Sequence, residues 1–250
     1  MNPLLDVRGL HKRFGGVVAT DRVDLQLFAG EIHALIGPNG AGKTTLVSQL
    51  AGQLPSDGGR IVFDGHDITH LVAHERARRG LVRSFQVTRL FKSFSVLENI
   101  ALALQAVAGS SLRAWRPVRA ETALFEQSRA MLATLGLAAK EHLFVAQLAH
   151  GEQRLLEVGI ALASGPRLLL LDEPMAGMGP QESGAMEQLI ATLRARCTVL
   201  LIEHDVDAVF RLADRVGVLV NGRIIASGSP AQVRSDPNVV AAYLGEAAQA

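Results

Sequence analysis

The chain has a single cysteine, Cys197, in 250 residues. No internal disulfide can form, so the fold must stand on packing alone, as suits a reducing compartment. Neither sign of charge is in surplus: 25 Lys and Arg stand against 24 Asp and Glu, which gives no reason to expect nucleic acid as a partner. No apolar run approaches the roughly 20 residues needed to cross a bilayer, and no charged-then-apolar leader opens the chain. The expectation is a cytosolic protein that serves a membrane, if it does, through a partner. With 48% hydrophobic and 20% charged residues, the chain can bury a substantial core as one domain, with room for an inserted subdomain.

What is present is arranged around residues 32–46, IHALIGPNGAGKTTL. Gly37, Pro38, Asn39, Gly40, Ala41, Gly42, Lys43 and Thr44 fit G-x-x-x-x-G-K-[ST]. Glycines let the backbone curl so that successive N–H groups face phosphate oxygens; Lys43 supplies a cation for the β- and γ-phosphates, and Thr44 a hydroxyl for Mg²⁺. The helix that follows, through Thr45, adds the positive end of its dipole. A chance glycine turn would match the same expression. The apolar strand-like segment before it and the helical segment after it supply the context the motif requires, so nucleoside triphosphate binding is the fixed point of the reading.

Residues 4–10 and 23–28 read as short strands, and 61–64 as the first arm of a hairpin turning at Asp64-Gly65. Residues 80–85 read as a strand ending at Gln86. From about 87 to 149 the pattern turns helical, at 97–108 and 121–137. Residues 152–163 read as another helix, while 168–171 and 198–202 are continuous apolar runs of the kind that form buried parallel strands. Asn221-Gly222 between two apolar runs signals a second hairpin, and the tail from Pro230 reads as helical.

The run RLLLLDE delivers two carboxylates at a strand end. Asp172 is placed for the Mg²⁺ shell and Glu173, facing the other way, for polarising a water. Alone, such a pair is more often a polar strand terminus; behind a phosphate loop the functional reading is the better one. His204, at the tip of the next strand, would by itself be a structural histidine, but there it can hydrogen-bond a γ-phosphate. The amide of Gln86 could bind Mg²⁺ or the water.

The order GPNGAGKTT, a glutamine after SF, a helical insert, LAHGE, LLLLDEP and a strand-end histidine resembles the ATP-binding cassette ATPases over nearly the whole chain. Two stretches, GLVRSFQVTRLFKSFSVLENI and LLLLDEPMAGMGPQE, resemble the ATPase subunits of branched-chain amino acid importers. The resemblance implies an α/β fold: a P-loop NTPase core with a parallel sheet, an N-terminal antiparallel β layer and an inserted α-helical subdomain. Its implied boundaries are 1–86 and 150–250 for the core and 87–149 for the helical part. It implies that Phe14 stacks on adenine, the alternative being a strand-edge core residue. It also makes Ala149, His150, Gly151 and Glu152 a signature turn that meets ATP held by a facing subunit. Ala149 stands there for the usual serine, His150 for a glycine, and Gly179 for an aspartate found in many members.

The implied cofactors are ATP and Mg²⁺, and the implied activity is ATP hydrolysis coupled to transport. The implied partners are a second ATPase subunit, identical or related, two membrane permease subunits and, indirectly, a periplasmic binding protein, with no nucleic acid. That places the chain at the cytoplasmic face of the inner membrane. Phe91, Phe94 and Leu97 fall where a permease would dock, or else in the helical core. A lipid or polysaccharide exporter ATPase fits the same motifs, and a non-transport cassette fits them less well, because such proteins usually carry two cassettes or long coiled-coil inserts.

Overall fold

A computed structural model describes residues 2–84, 90–107 and 122–241. In chain order the elements are β1 (Leu5–Phe14), β2 (Val17–Leu27), β3 (Ile32–Ile36), α1 (Lys43–Leu50), β4 (Gly58–Phe63), β5 (His66–Asp67), α2 (Ala73–Arg78), β6 (Leu81–Arg83), α3 (Val96–Val107), α4 (Thr122–Thr134) and α5 (His150–Ala163). They continue with β7 (Leu168–Asp172), α6 (Pro180–Leu193), β8 (Thr198–Ile202), α7 (Val206–Leu212), β9 (Arg215–Val220), β10 (Arg223–Gly228), α8 (Pro230–Arg234) and α9 (Pro237–Val239). β1 and β2 run longer than the apolar pattern suggested, because their outer ends pair with each other through Phe14 and Val17. The expected strand at 80–85 is β6; its last expected residue and Gln86 lie outside the described residues, as do Ala108 and Glu121.

Among the described residues the strands form two sheets. One is antiparallel, in the order β2-β1-β4-β5. The other runs β10-β9-β3-β8-β7-β6, parallel except for the β9–β10 hairpin. Both hairpins foreseen from Asp-Gly and Asn-Gly form, with φ of 51° and 76° at Asp64 and Gly65 and 46° and 76° at Asn221 and Gly222. These left-handed pairs are what a two-residue turn demands.

The chain divides into two compact units. The first comprises Met1–Arg83, Arg167–Glu173 and Ala191–Ala250. Here β3, β7 and β8 are buried along their whole length, as strands covered on both faces must be. Leu35 joins Leu46 and Leu50 of α1 and Leu5, Leu27 and Phe63 of the antiparallel sheet in one core. On the other face Ala34 and Ile36 pack with Val209, Val216, Val233 and Val239. α1 is thus held between the two sheets with its N-terminus at the end of β3. Its C-terminus is fixed by buried Arg76, whose guanidinium donates to the carbonyls of Gln49, Leu50, Thr69 and Leu71.

The second unit comprises Ser84–Pro166 and Pro174–Ile190, more than the 87–149 expected for the helical part. The reason is α5, whose Gly159 lies so close to Leu135 and Ile100 that a Cβ would stand 2.3 Å from Leu135 Cδ1. α4 ends where Gly136 turns left-handed at φ 71°. Leu137 N–H then donates to Leu132 and Gly136 N–H to Ala133, the paired bonds of a glycine-closed helix end. α5 itself opens two residues earlier than its apolar face indicated.

Candidate functional site

β3 delivers the chain into the glycine turn, and two of its glycines are dictated by close backbone approach. A Cβ on Gly37 would meet Leu219 O at 2.0 Å, and one on Gly42, at φ 102°, would meet Ala19 O at 2.1 Å. The tip of the β9–β10 hairpin closes the turn from one side: Gly222 N–H donates to Ala41 O (2.9 Å), and Gly222 O accepts from Asp21 N–H of β2 (2.8 Å). Pro38, Asn39 and Gly40 form the outer part of the loop, and α1 begins at Lys43 with Gly42 as its cap. Lys43 is buried, and its Nζ donates to Gly37 O (2.6 Å) and Pro38 O (3.0 Å). Burial pushes its ammonium below the ordinary lysine range, against the opposing pull of Glu173 and Asp172. The cation is therefore already within the loop and only partly compensated. Thr44 and Thr45 follow on the first turn of α1.

The two carboxylates end β7 in the same unit. Asp172 is buried, with its side chain 1% exposed. Its Oδ2 accepts from Arg83 Nη2 at 2.5 Å, and its Oδ1 is buried without a hydrogen-bond partner. An orphaned buried carboxylate oxygen of this kind asks for a cation or water. No group of three or more His, Cys, Asp or Glu able to hold a metal exists among the described residues. A single free carboxylate oxygen, as on Asp172, fits a hard cation that keeps most of its shell in water and phosphate, as Mg²⁺ does. Glu173 follows with φ 51°, and its N–H donates to Ile202 O of β8. That kink sends its side chain to His204, whose Nε2 lies 2.5 Å from Glu173 Oε1. The structure therefore gathers Gly37–Thr45, Asp172, Glu173 and His204 in one unit; Gln86 lies outside the described residues. Phe14, at the β1–β2 turn of the same unit, is half-exposed, with Lys12 Nζ 5.6 Å from its ring centroid. It is not a core residue.

The turn at Ala149–Glu152 belongs to the second unit. Ala149 caps α5 with extended backbone and no side-chain hydrogen bond. Its N–H donates to Glu152 Oε2 (3.1 Å), and Glu152 in turn pairs with Lys140. The N–H of Gly151 donates to Glu182 Oε1 (3.2 Å), and the same carboxylate takes Gly179 N–H on Oε2 (3.1 Å). Glu182 thus serves the N-termini of α5 and α6 together, and a Cβ on Gly151 would fall 2.4 Å from its Cδ. Phe91 and Phe94 are exposed and stacked at 5.5 Å. Leu97 is buried, so of the three residues expected near a docking surface it belongs to the core.

Sequence reasoning missed Arg83 and Glu182. Glu182 stands three residues after Gly179, the spacing of a residue that caps its own helix, and could have been found. Arg83 carried no local signal, because its partners lie far along the chain.

The family described as ABC transporter matches residues 20–176, and the one described as Branched-chain amino acid ATP-binding cassette transporter matches residues 223–249. The chain is 40% identical over 252 residues to LivG of Escherichia coli K12, a high-affinity branched-chain amino acid transport ATP-binding protein, with 98% of this chain and 99% of LivG covered. It is 36% identical over 247 residues to LptB of Acidithiobacillus ferridurans, a lipopolysaccharide export system ATP-binding protein, with 98% of each covered. Its fold is similar to the crystal structure of the ADP conformation of MJ1267, an ATP-binding cassette of an ABC transporter. The TM-score is 0.85 and the identity 32%, over 98% of this chain and 100% of that one.

Proposed function

The chain belongs to the ATP-binding cassette family of transporter ATPases, and from that premise we propose that it energises an importer of branched-chain or related amino acids. The observation that carries the importer reading is the match of residues 223–249 to the branched-chain amino acid cassette family. In this reading the chain works at the cytoplasmic face of the membrane with a second ATPase subunit, identical or related, and two permease subunits, fed by a periplasmic binding protein.

In this reading each residue has its own task. Lys43 exchanges the carbonyls of Gly37 and Pro38 for phosphate oxygens, which compensate its buried charge better. Phe14 offers its exposed face to adenine. The hydroxyl of Thr44, the free Oδ1 of Asp172 and the amide of Gln86 would hold Mg²⁺. When bound, that ion neutralises charge on the phosphate oxygens during transfer. Glu173 takes a proton from the attacking water, and His204, which reaches Glu173 in this structure, is the imidazole that reaches the γ-phosphate. The turn at Ala149–Glu152 meets the ATP of the facing subunit, so ATP acts by binding the closed pair better than the open one.

Extraction in mild detergent should recover the chain with two membrane proteins and a second ATPase or a second copy. Turnover of that complex should rise with a leucine-loaded binding protein. Recovery of soluble chain alone, or of ribosomes, overturns the transport reading. The similarity to LptB supports a second reading, an exporter of a lipid or polysaccharide. A complex indifferent to branched-chain amino acids and stimulated by such a substrate would decide for it.

The missing hydroxyl at Ala149 gives a further expected outcome. A serine there could donate to the facing γ-phosphate, a charge-assisted bond worth roughly 1.5–3 kcal/mol. In this reading His150 supplies part of this in its place, so Ala149→Ser should raise ATP-dependent pairing and turnover by only about two- to fivefold, and more when His150 is also replaced by alanine. Sedimentation with ATP and steady-state hydrolysis check it. No gain in either background means that the turn meets phosphate through its backbone alone.

A further inference from the structure

Arg83 is the one buried cation besides Lys43 that touches the candidate site among the described residues, and the reaction described above does not use it. Its side chain is 8% exposed, and it reaches in two directions from the end of β6. Nη2 donates to Asp172 Oδ2 at 2.5 Å. Nη1 donates to Ser48 Oγ at 3.1 Å and to Gln53 Oε1, and Ser48 Oγ donates in turn to Thr44 O at 2.7 Å. A continuous chain of hydrogen bonds therefore runs from the carboxylate that ends β7, through one guanidinium, to the carbonyl of Thr44, the residue whose hydroxyl is assigned above to Mg²⁺. A planar fork can span such a path; a single ammonium cannot.

The consequence is visible on Asp172. With Oδ2 held by Arg83, rotation of the carboxylate is blocked, and the buried Oδ1 is left as the oxygen without a partner. We infer that Arg83 is a positioning residue for the metal: it fixes the free oxygen of Asp172 and the first turn of α1 in one frame, so that Mg²⁺ finds its protein ligands already set. The inference rests on the Mg²⁺ reading above. It assigns Arg83 no contact with nucleotide.

The test compares affinity for the β,γ-imido analogue of ATP, by calorimetry on the full chain, in Mg²⁺ and in EDTA. The ratio of the two dissociation constants isolates the metal-dependent step. In Arg83→Met this ratio should fall by about tenfold, the usual scale for losing a group that orients a metal ligand. The affinity in EDTA should change by no more than about twofold, since Lys43 and the glycine turn are untouched. Arg83→Lys should recover only part of the ratio. A buried pair with a purely structural role would weaken binding equally in both media, and that result, or an unchanged ratio, overturns the inference. If Arg83→Met fails to fold, judged by its thermal transition, Ser48→Ala carries the test. It removes both bonds of Ser48, from Arg83 and to Thr44, leaves the pair of Arg83 with Asp172 in place, and should lower the ratio by about threefold; an unchanged ratio there overturns the inference. A native chain that binds the analogue in neither medium removes the nucleotide reading first, and this inference with it.

Discussion

Glutamine at position 173 is expected to leave ATP binding intact and to lower hydrolysis by about a hundredfold or more, the usual worth of a positioned base. The substitution keeps the shape of the side chain and removes the oxygen that can take a proton. The nucleotide contacts proposed for Gly37–Thr45 do not pass through it. A chain that closes on ATP but cannot turn it over should accumulate as a nucleotide-loaded pair, detectable by size-exclusion chromatography with ATP and absent with ADP. The hydrogen bond between Glu173 Oε1 and His204 Nε2 survives as an amide contact, so the fold should not be disturbed. Turnover near that of the native chain in Glu173→Gln would reject the assignment of the base.

Removing the ammonium should act earlier. In the proposed reading Lys43 meets phosphates that are present before any chemistry, so Lys43→Ala is expected to lose affinity for ATP as well as turnover. Each charge-assisted bond is worth roughly 1.5–3 kcal/mol. One lost bond is therefore a weakening of about 10- to 150-fold, and two would bring binding near the limit of detection. The same substitution frees the carbonyls of Gly37 and Pro38, so the thermal transition has to be measured alongside to separate a loosened loop from a lost contact. Unchanged affinity in a folded variant would count against the phosphate-loop reading itself.

What could be read from the amino acids was what is decided locally. Asp64-Gly65 and Asn221-Gly222 announce their hairpins because the turn's dihedrals are a property of two residues. The buried strands β3, β7 and β8 announce themselves because burial on both faces leaves nearly every position apolar, His33, Asp172 and Thr198 being the exceptions. The glycine turn was legible as a motif, but the reason for Gly37 and Gly42 was not: the atoms that crowd them, Leu219 O and Ala19 O, come from other strands. α2, α6 and α7 were missed. α2 and α7 are too short to display a period, and α6 carries Gly184 and scattered polar residues that blur its apolar face. The helical unit takes in more than residues 87–149 because Gly159 packs α5 against Leu135, a contact that no local pattern displays. Arg83 was invisible for the same reason: what matters about it is a carboxylate 89 positions away.

The clamp on the phosphate loop also sets an order in time. Its closing contacts come from Ala41 and Asp21 on one side and Gly222 on the other, and the neighbouring pair of Arg223 with Asp21 joins positions 202 apart. A ribosome adding about 5–20 residues per second makes the glycine motif roughly ten to forty seconds before it makes the hairpin that closes it. During that interval the nascent chain carries the motif without the finished site, and its Lys43 has neither the wall of β9 nor the turn at Gly222 to hold the loop around it. The closed form of the loop is therefore available only once the segment after Arg215 has folded back onto strands that left the ribosome first.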